Sequence, residues 1–230
     1  FGISNTKDAS ALTALGLHAL QHRGQESAGI VSFDGKNFNN QLNLGLVGDY
    51  FTKEKVISRL PGYAALGHVR YSTTGKTLFK NIQPLFADLQ GGGLACSHNG
   101  NLTNGIELRK RLIREGSIFQ STSDTEAFIH LISKSKEKTI VKKIIDALYE
   151  IKGAYSFGLL TNKKLIGIRH QVSYILLLTF LLAILRFSKI LLKKKAYTTK
   201  RKLDMQDLLL DKETSWHFIT PSEPQITLYY

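Results

Sequence analysis

Cysteine is nearly missing: Cys96 is the only one in 230 residues. A lone cysteine excludes an intramolecular disulfide and fits a reducing compartment, so a cytoplasmic location is expected. No metal site is expected in the chain. No Met opens it and no signal peptide is recognisable. It starts on Phe1-Gly2-Ile3, an apolar run with no lead-in, and truncation is the expectation there. Acidic residues are scarce. Eighteen Asp and Glu against 31 Lys and Arg leave a net charge of +13. Such a balance suits a nucleic acid or an anionic membrane surface as partner. The basic residues are scattered among apolar positions of expected helices, however, and cluster only at 193–195 and 200–202. Nucleic-acid binding is therefore not expected. A long apolar run is also lacking until residues 172–185, and that run is shorter than the ~20 residues of a membrane span. A membrane association is not favoured.

Patterning divides the rest. Asp8 stands as N-cap to a helix with apolar residues at 12, 15, 17 and 20, which ends near His22-Arg23-Gly24. Residues 27–33 form a β-type run closed by Asp34-Gly35, a hairpin signal. Residues 43–48 read as a second strand, 52–60 as a short helix capped by Thr52, and 63–71 as a strand that runs into Ser72-Thr73-Thr74-Gly75. A buried strand is expected over 91–96, then a polar turn over 97–104, then an amphipathic helix over 106–113. Ser123-Asp124-Thr125-Glu126 matches a capping box ahead of an apolar helix. Residues 139–151 form another amphipathic helix, stopped at Gly153. Residues 154–160 and 165–168 read as a hairpin around Asn162. Strands in antiparallel pairs with helices in blocks between them predict an α+β layered sandwich rather than a doubly wound sheet.

The character of the chain changes at Arg169-His170. Beyond it the apolar run has neither helix nor strand period, and lysines and polar residues follow. Three readings stay open: an anchor flanked by Arg186 and the lysines beyond it, a buried helix, and sequence never selected to fold, such as an out-of-frame translation. The loss of turn chemistry favours the last. Such a tail is expected to pack poorly and to leave an open sheet edge.

Four polar clusters end strands or open helices, and these carry the chemistry. The stretch from Ser97 to Asn104 presents donors: the Asn99 side chain and the backbone N–H of Gly100, where no Cβ obstructs a ligand. Two converging donors can form an oxyanion hole for acyl transfer. A plain turn would also use Asn and Gly. Arg70 ends an otherwise apolar strand, and its fixed fork suits a carboxylate. Asp124 lies in the first turn of a helix, where it can accept from an ammonium. Together the two would hold an α-amino acid by both charged groups. Singly, each has a bland account as a surface ion pair or a helix-dipole carboxylate.

These clusters are Leu20-Gln-His-Arg-Gly-Gln-Glu-Ser-Ala-Gly-Ile30, Gly67-His-Val-Arg-Tyr-Ser-Thr-Thr-Gly75, His98-Asn-Gly-Asn-Leu-Thr-Asn104 and Thr122-Ser-Asp-Thr-Glu126. In spelling and spacing they resemble the class II glutamine amidotransferase domain of amidophosphoribosyltransferases, from Phe1 to Arg169. The resemblance implies a four-layer αββα fold of the N-terminal nucleophile hydrolase type. It implies that Arg70 binds the glutamine α-carboxylate with Thr73 nearby, and that Asp124 binds the α-amino group. Asn99 and Gly100 would form the oxyanion hole, and Arg23 and Gly24 would line the pocket. It also implies ammonia supply to phosphoribosyl pyrophosphate, the first committed step of purine synthesis, and a homo-oligomer.

Two departures stand beside it. The family's nucleophile is an N-terminal Cys that would lie three positions before Phe1. Cys96 cannot replace it and is most simply core. After Arg169 nothing matches the family's continuation, so residues 170–230 are expected to be an unrelated or out-of-frame tail. The phosphoribosyltransferase half is missing, and with it the sites for magnesium and for the iron–sulfur cluster of some members. No cofactor is expected in this chain. The expected activity of the chain as written is therefore low or none. The alternative is a non-catalytic glutamine-binding or membrane-tethered module.

Overall fold

Side-chain parity along the strands dictates how the layers stack. The computed structural model describes residues 1–71, 78–170 and 225–229, the last segment as backbone only. Four strands, β1 (Gly2–Ser4), β2 (Ser27–Phe33), β3 (Phe38–Leu44) and β4 (Ala64–Arg70), form one sheet in the order β1-β4-β2-β3. Five more, β5 (Leu85–Leu89), β6 (Gly92–Leu102), β7 (Gly153–Thr161), β8 (Leu165–His170) and β9 (Gln225–Tyr229), form a second in chain order. Every pairing is antiparallel. The helices are α1 (Ala9–Ala19), α2 (Val47–Tyr50), α3 (Glu54–Ile57), α4 (Gly105–Arg114), α5 (Asp124–Lys134) and α6 (Ile140–Glu150).

Successive strand residues face opposite ways. On β2 and β4, Ala28, Ile30 and Ala65 pack with Leu17 of α1 and Val47 of α2, whereas Val31 and Leu66 turn to the other side. On β6 and β7, Leu94, Cys96, Phe157 and Leu159 pack with α4, α5 and α6, whereas Ala95 and Leu160 meet Val31 and Leu66. Three apolar clusters thus fill the three interfaces of four layers, helix, sheet, sheet, helix. This is the expected α+β sandwich.

Several local expectations are corrected. The second strand occupies 38–44, not 43–48, because Val47 starts a helical turn. Its Asn-rich sequence (Phe38-Asn-Asn-Gln-Leu-Asn-Leu44) suits an edge strand with one polar face and gives little apolar signal. The 52–60 helix shrinks to α3, and Thr52 Oγ1 donates back to the Gly48 carbonyl instead of capping it. Asp8 occupies the N-cap position of α1 without a side-chain bond. β6 does not stop at Cys96; it runs through the whole polar motif to Leu102. The capping box at α5 is half formed. Ser123 accepts from the Thr125 N–H, but Glu126 reaches past Ser123 to accept from the N–H groups of Gln120 and Ser121, both at 2.7 Å. β1 and β5 carried no signal in the sequence. The edge of β8 expected to be open is paired along its length with β9, which belongs to the same compact unit. The apolar run over 172–185 lies outside the described residues.

Candidate functional site

The ends of β4 and β6 and the start of α5 converge on a cleft of about 870 Å³. Arg23, Arg70, Asn99, Gly100 and Asp124, five of the predicted site residues, line it. They come from four places in the chain: Arg23 from a 3-10 turn after α1, Arg70 from the last residue of β4, Asn99 and Gly100 from the exposed stretch of β6, and Asp124 from the first residue of α5. Thr73 falls outside the described residues.

Gly24 does not line the cleft. It is buried, and a Cβ there would stand 2.7 Å from the carbonyl carbons of Val69 and Arg70. Its smallness lets the Arg23 turn press against the end of β4. The Gln21 side chain secures that turn: its Nε2 donates to the Gly24 carbonyl, and its Oε1 accepts from Val47 N–H at 2.7 Å. Gly24 therefore permits the close approach of the Arg23 turn to the end of β4. Arg70 itself is half-buried. Its Nη1 is shielded from solvent and has no hydrogen-bond partner among the described residues. A buried donor without a partner is costly, which marks the guanidinium as a group awaiting an acceptor.

Along β6 the burial changes abruptly. Residues 94–98 are buried, and Asn99 and Gly100 are exposed to the cleft. Gly100 has a φ of 143°, and a Cβ on it would stand 2.3 Å from the Ala154 carbonyl oxygen on β7. Glycine is required there by the strand pairing as much as by any ligand.

Asp124 sits at the positive end of the α5 dipole. Its Oδ2 accepts from the Leu102 N–H at 2.9 Å, and its Oδ1 lies 3.5 Å from His98 Nδ1. Burial works against its ionisation. The hydrogen bond of His98, with backbone N–H groups of Leu102 and Thr125, outweighs burial and holds the carboxyl below its ordinary range. A carboxylate that stays ionised is what recognition of an ammonium requires.

A buried polar network backs this wall, and sequence reasoning missed it. His98 N–H donates to Gln83 Oε1 at 2.6 Å, Gln83 Nε2 donates to Thr125 Oγ1 at 3.1 Å, and His98 Nδ1 lies 3.2 Å from the same hydroxyl. Asn81 holds Thr122 at both ends, with bonds of 2.7 and 2.9 Å. His68, on β4, has a buried Nδ1 without a partner among the described residues, and burial pulls its pKa down to about 3. The available signal was a polar residue inside apolar strand sequence: His68 and His98 both interrupt such runs. Cys96 is fully buried, and burial pushes its thiol far up, so it is core and not a nucleophile. Among the described residues no group of three His, Cys, Asp or Glu could hold a metal ion. None of their helices is long and apolar enough to cross a membrane.

Comparison with known proteins agrees with this geometry. A family model described as a glutamine amidotransferase domain matches residues 68–183. The amidophosphoribosyltransferase of Rhizobium etli is 55% identical over 169 residues, covering 74% of this chain and 34% of the relative. That of Lacticaseibacillus casei is 46% identical over 162 residues, covering 70% of this chain and 84% of the relative. Among solved structures, the glutamine phosphoribosylpyrophosphate amidotransferase of B. subtilis complexed with ADP and GMP aligns with a TM-score of 0.68 at 41% identity, covering 74% of this chain and 36% of that one. A structure titled as the allosteric regulatory enzyme of purine biosynthesis aligns at 0.70 and 42%, with coverage of 74% and 36%. The chain spans about a third of the length of the first curated relatives it matches. With five predicted residues gathered in one cleft and this identity over about three quarters of its length, the chain belongs to the amidophosphoribosyltransferase family and carries its glutamine amidotransferase domain.

Proposed function

We propose that the cleft binds L-glutamine and that the intact protein hydrolyses it there to supply ammonia. The observation that carries this reading is a pair lining one cleft, an arginine whose buried Nη1 has no partner among the described residues and an ionised aspartate at a helix start. Arg70 would take the α-carboxylate through its fork, and Asp124 the α-amino group. The side-chain amide then extends toward Asn99 and the Gly100 N–H. A thiolate that attacks the amide carbon drives charge onto the carbonyl oxygen, where these donors would hold it. Ammonia leaves, and water hydrolyses the glutamyl thioester to glutamate.

The register of β1 on β4 supports the source of that thiol. Gly2 pairs with Leu66, and the Phe1 carbonyl accepts from Gly67 N–H at 2.7 Å. A strand continued upstream in this register advances one partner per residue, so the third residue before Phe1 falls opposite Arg70. That is where the family's cysteine would enter, with its α-amine serving as base. Transfer of the ammonia to phosphoribosyl pyrophosphate, to give phosphoribosylamine, is assigned to the other part of the intact protein. Magnesium, any iron–sulfur cluster and the contacts of a homo-oligomer are assigned there too, and a cytoplasmic location is proposed from the lone cysteine.

A Cys-Gly-Val segment placed before Phe1, with the cysteine as the first residue, tests the reading. Glutamine-dependent ammonia release above that of the Arg70→Ala version is the expected result. Equal release from both sinks the glutamine-site assignment. Binding of L-glutamine without any release would leave the domain a non-catalytic binding module.

A further inference from the structure

We infer that His98 is a positioning residue for the glutamine site, acting through its Nδ1–H on Asp124; this rests on the glutamine reading of the cleft. His98 precedes the exposed Asn99 on β6, and by strand parity its side chain takes the opposite face, toward α5. It is 6% exposed there and stacked on Phe157, with ring centroids 4.4 Å apart and planes at 21°. Phe157 in turn stacks on Phe128 of α5 at 4.3 Å. The ring therefore has no freedom to swing.

The anion beside Nδ1 favours a proton on that ring nitrogen. Two oxygens face Nδ1: Thr125 Oγ1 at 3.2 Å and Asp124 Oδ1 at 3.5 Å. Asp124 is ionised, and a bare Nδ1 lone pair would point at an anion. A proton on Nδ1 removes that repulsion and is donated to Asp124 Oδ1. Thr125 Oγ1 does not compete for it: that oxygen accepts from Gln83 Nε2 and from Ser123 Oγ, which fills its two acceptor positions. Nε2 of His98 is buried and unpartnered among the described residues. An aprotic Nε2 is the less costly choice there, because a carboxylate supports only the Nδ1–H.

The same residue thus does two things. Its backbone N–H, tied to Gln83, fixes β6 one residue before the proposed oxyanion donors. Its ring holds the Asp124 carboxylate, whose other oxygen is anchored by Leu102 N–H. Both carboxylate oxygens are thereby held in place where Asp124 lines the cleft. Sequence reasoning gives His98 no role because it falls inside a motif whose donors lie beside it.

The test uses the 230-residue chain and amide replacements that mimic single ring nitrogens. An Asn amide nitrogen superposes on imidazole Nδ1, whereas Phe keeps the stack on Phe157 and removes both nitrogens. By calorimetric titration with L-glutamine, His98→Asn is expected to bind within threefold of the parent, and His98→Phe at least tenfold more weakly. Both variants should keep the parent's circular dichroism spectrum. Phe binding as well as the parent, or Asn and Phe losing affinity equally, overturns the inference. Long-range proton–nitrogen spectra of the ring-labelled chain give an independent readout. A proton on Nδ1 that shifts in Asp124→Asn is expected, and a bare Nδ1 overturns the inference whether or not glutamine binds. A parent that fails to bind L-glutamine while its Nδ1 carries the expected proton overturns the glutamine reading instead.

Discussion

At the scale of single residues, the cleft works by contrast between groups that are satisfied and groups that are not. Asp124 has backbone and imidazole partners and stays ionised. Arg70 has a buried nitrogen with none among the described residues. An ionised substrate carboxylate would complete it with a charge-assisted bond, a contribution of about 1.5–3 kcal/mol. The geometry of the fork matters beyond its charge. Lysine keeps the charge and places it as a single mobile point without the paired donors. Arg70→Lys is therefore expected to weaken L-glutamine binding about tenfold or more, with Arg70→Ala weaker still and the thermal midpoint little changed, because the lost contact is with the ligand. Titration calorimetry on the two variants checks this. A lysine variant as tight as the parent would mean that long-range charge alone accounts for the role of Arg70.

At the scale of elements, β6 decides where the chemistry sits. Its residues 94–98 are core and residues 99–101 are exposed, so one strand carries apolar anchors and cleft donors in register with β7. The transition is made at Gly100, whose φ of 143° and contact with the Ala154 carbonyl leave no space for a methyl group. Gly100→Ala is expected to destabilise the domain by about 2 kcal/mol or more, through backbone strain and steric displacement of β7. A urea midpoint would show the shift, and glutamine affinity would fall with it. Much of this was legible in the sequence. The β-type runs of β2, β4 and β7, the amphipathic period of α4 and α6, and the placing of Arg70, Asn99 and Asp124 as candidates all come from residue types. β3 and β5 did not, because an Asn-rich edge strand and a short strand with Asp88 give weak apolar alternation. The end of β6 did not, because Asn-Gly pairs signal turns locally and only the β7 partner makes them extended. The network of Gln83, His98 and Thr125 joins three distant segments, and no local pattern reports such a meeting.

At the scale of the molecule, the two sheets enclose histidine and carboxylate groups whose titrations shape stability in separate pH windows. His68 is held neutral by burial, with its pKa pulled from 6.5 down to about 3. Below pH 6.5 the unfolded chain takes up a proton that the folded chain refuses. The unfolded state then binds more protons, so stability falls as pH falls from 6.5 to about 3. The loss runs at no more than about 1.4 kcal/mol per pH unit from this one group. Asp124 acts lower. Its carboxyl is held below the ordinary 3.8, so its contribution is intact above that value and is lost only as pH falls through the folded pKa. The two can be told apart by substitution. His68→Gln should flatten the stability profile between pH 6.5 and 4 and leave the steeper fall below 4 in place. Asp124→Asn should do the reverse. Urea midpoints taken at half-unit steps from pH 7 to 3 measure both. A parent profile that is flat down to pH 4 would show that His68 takes up its proton in the folded state. The sandwich would then open to water at β4, beside Arg70, and the cleft would have to be drawn with a solvated floor.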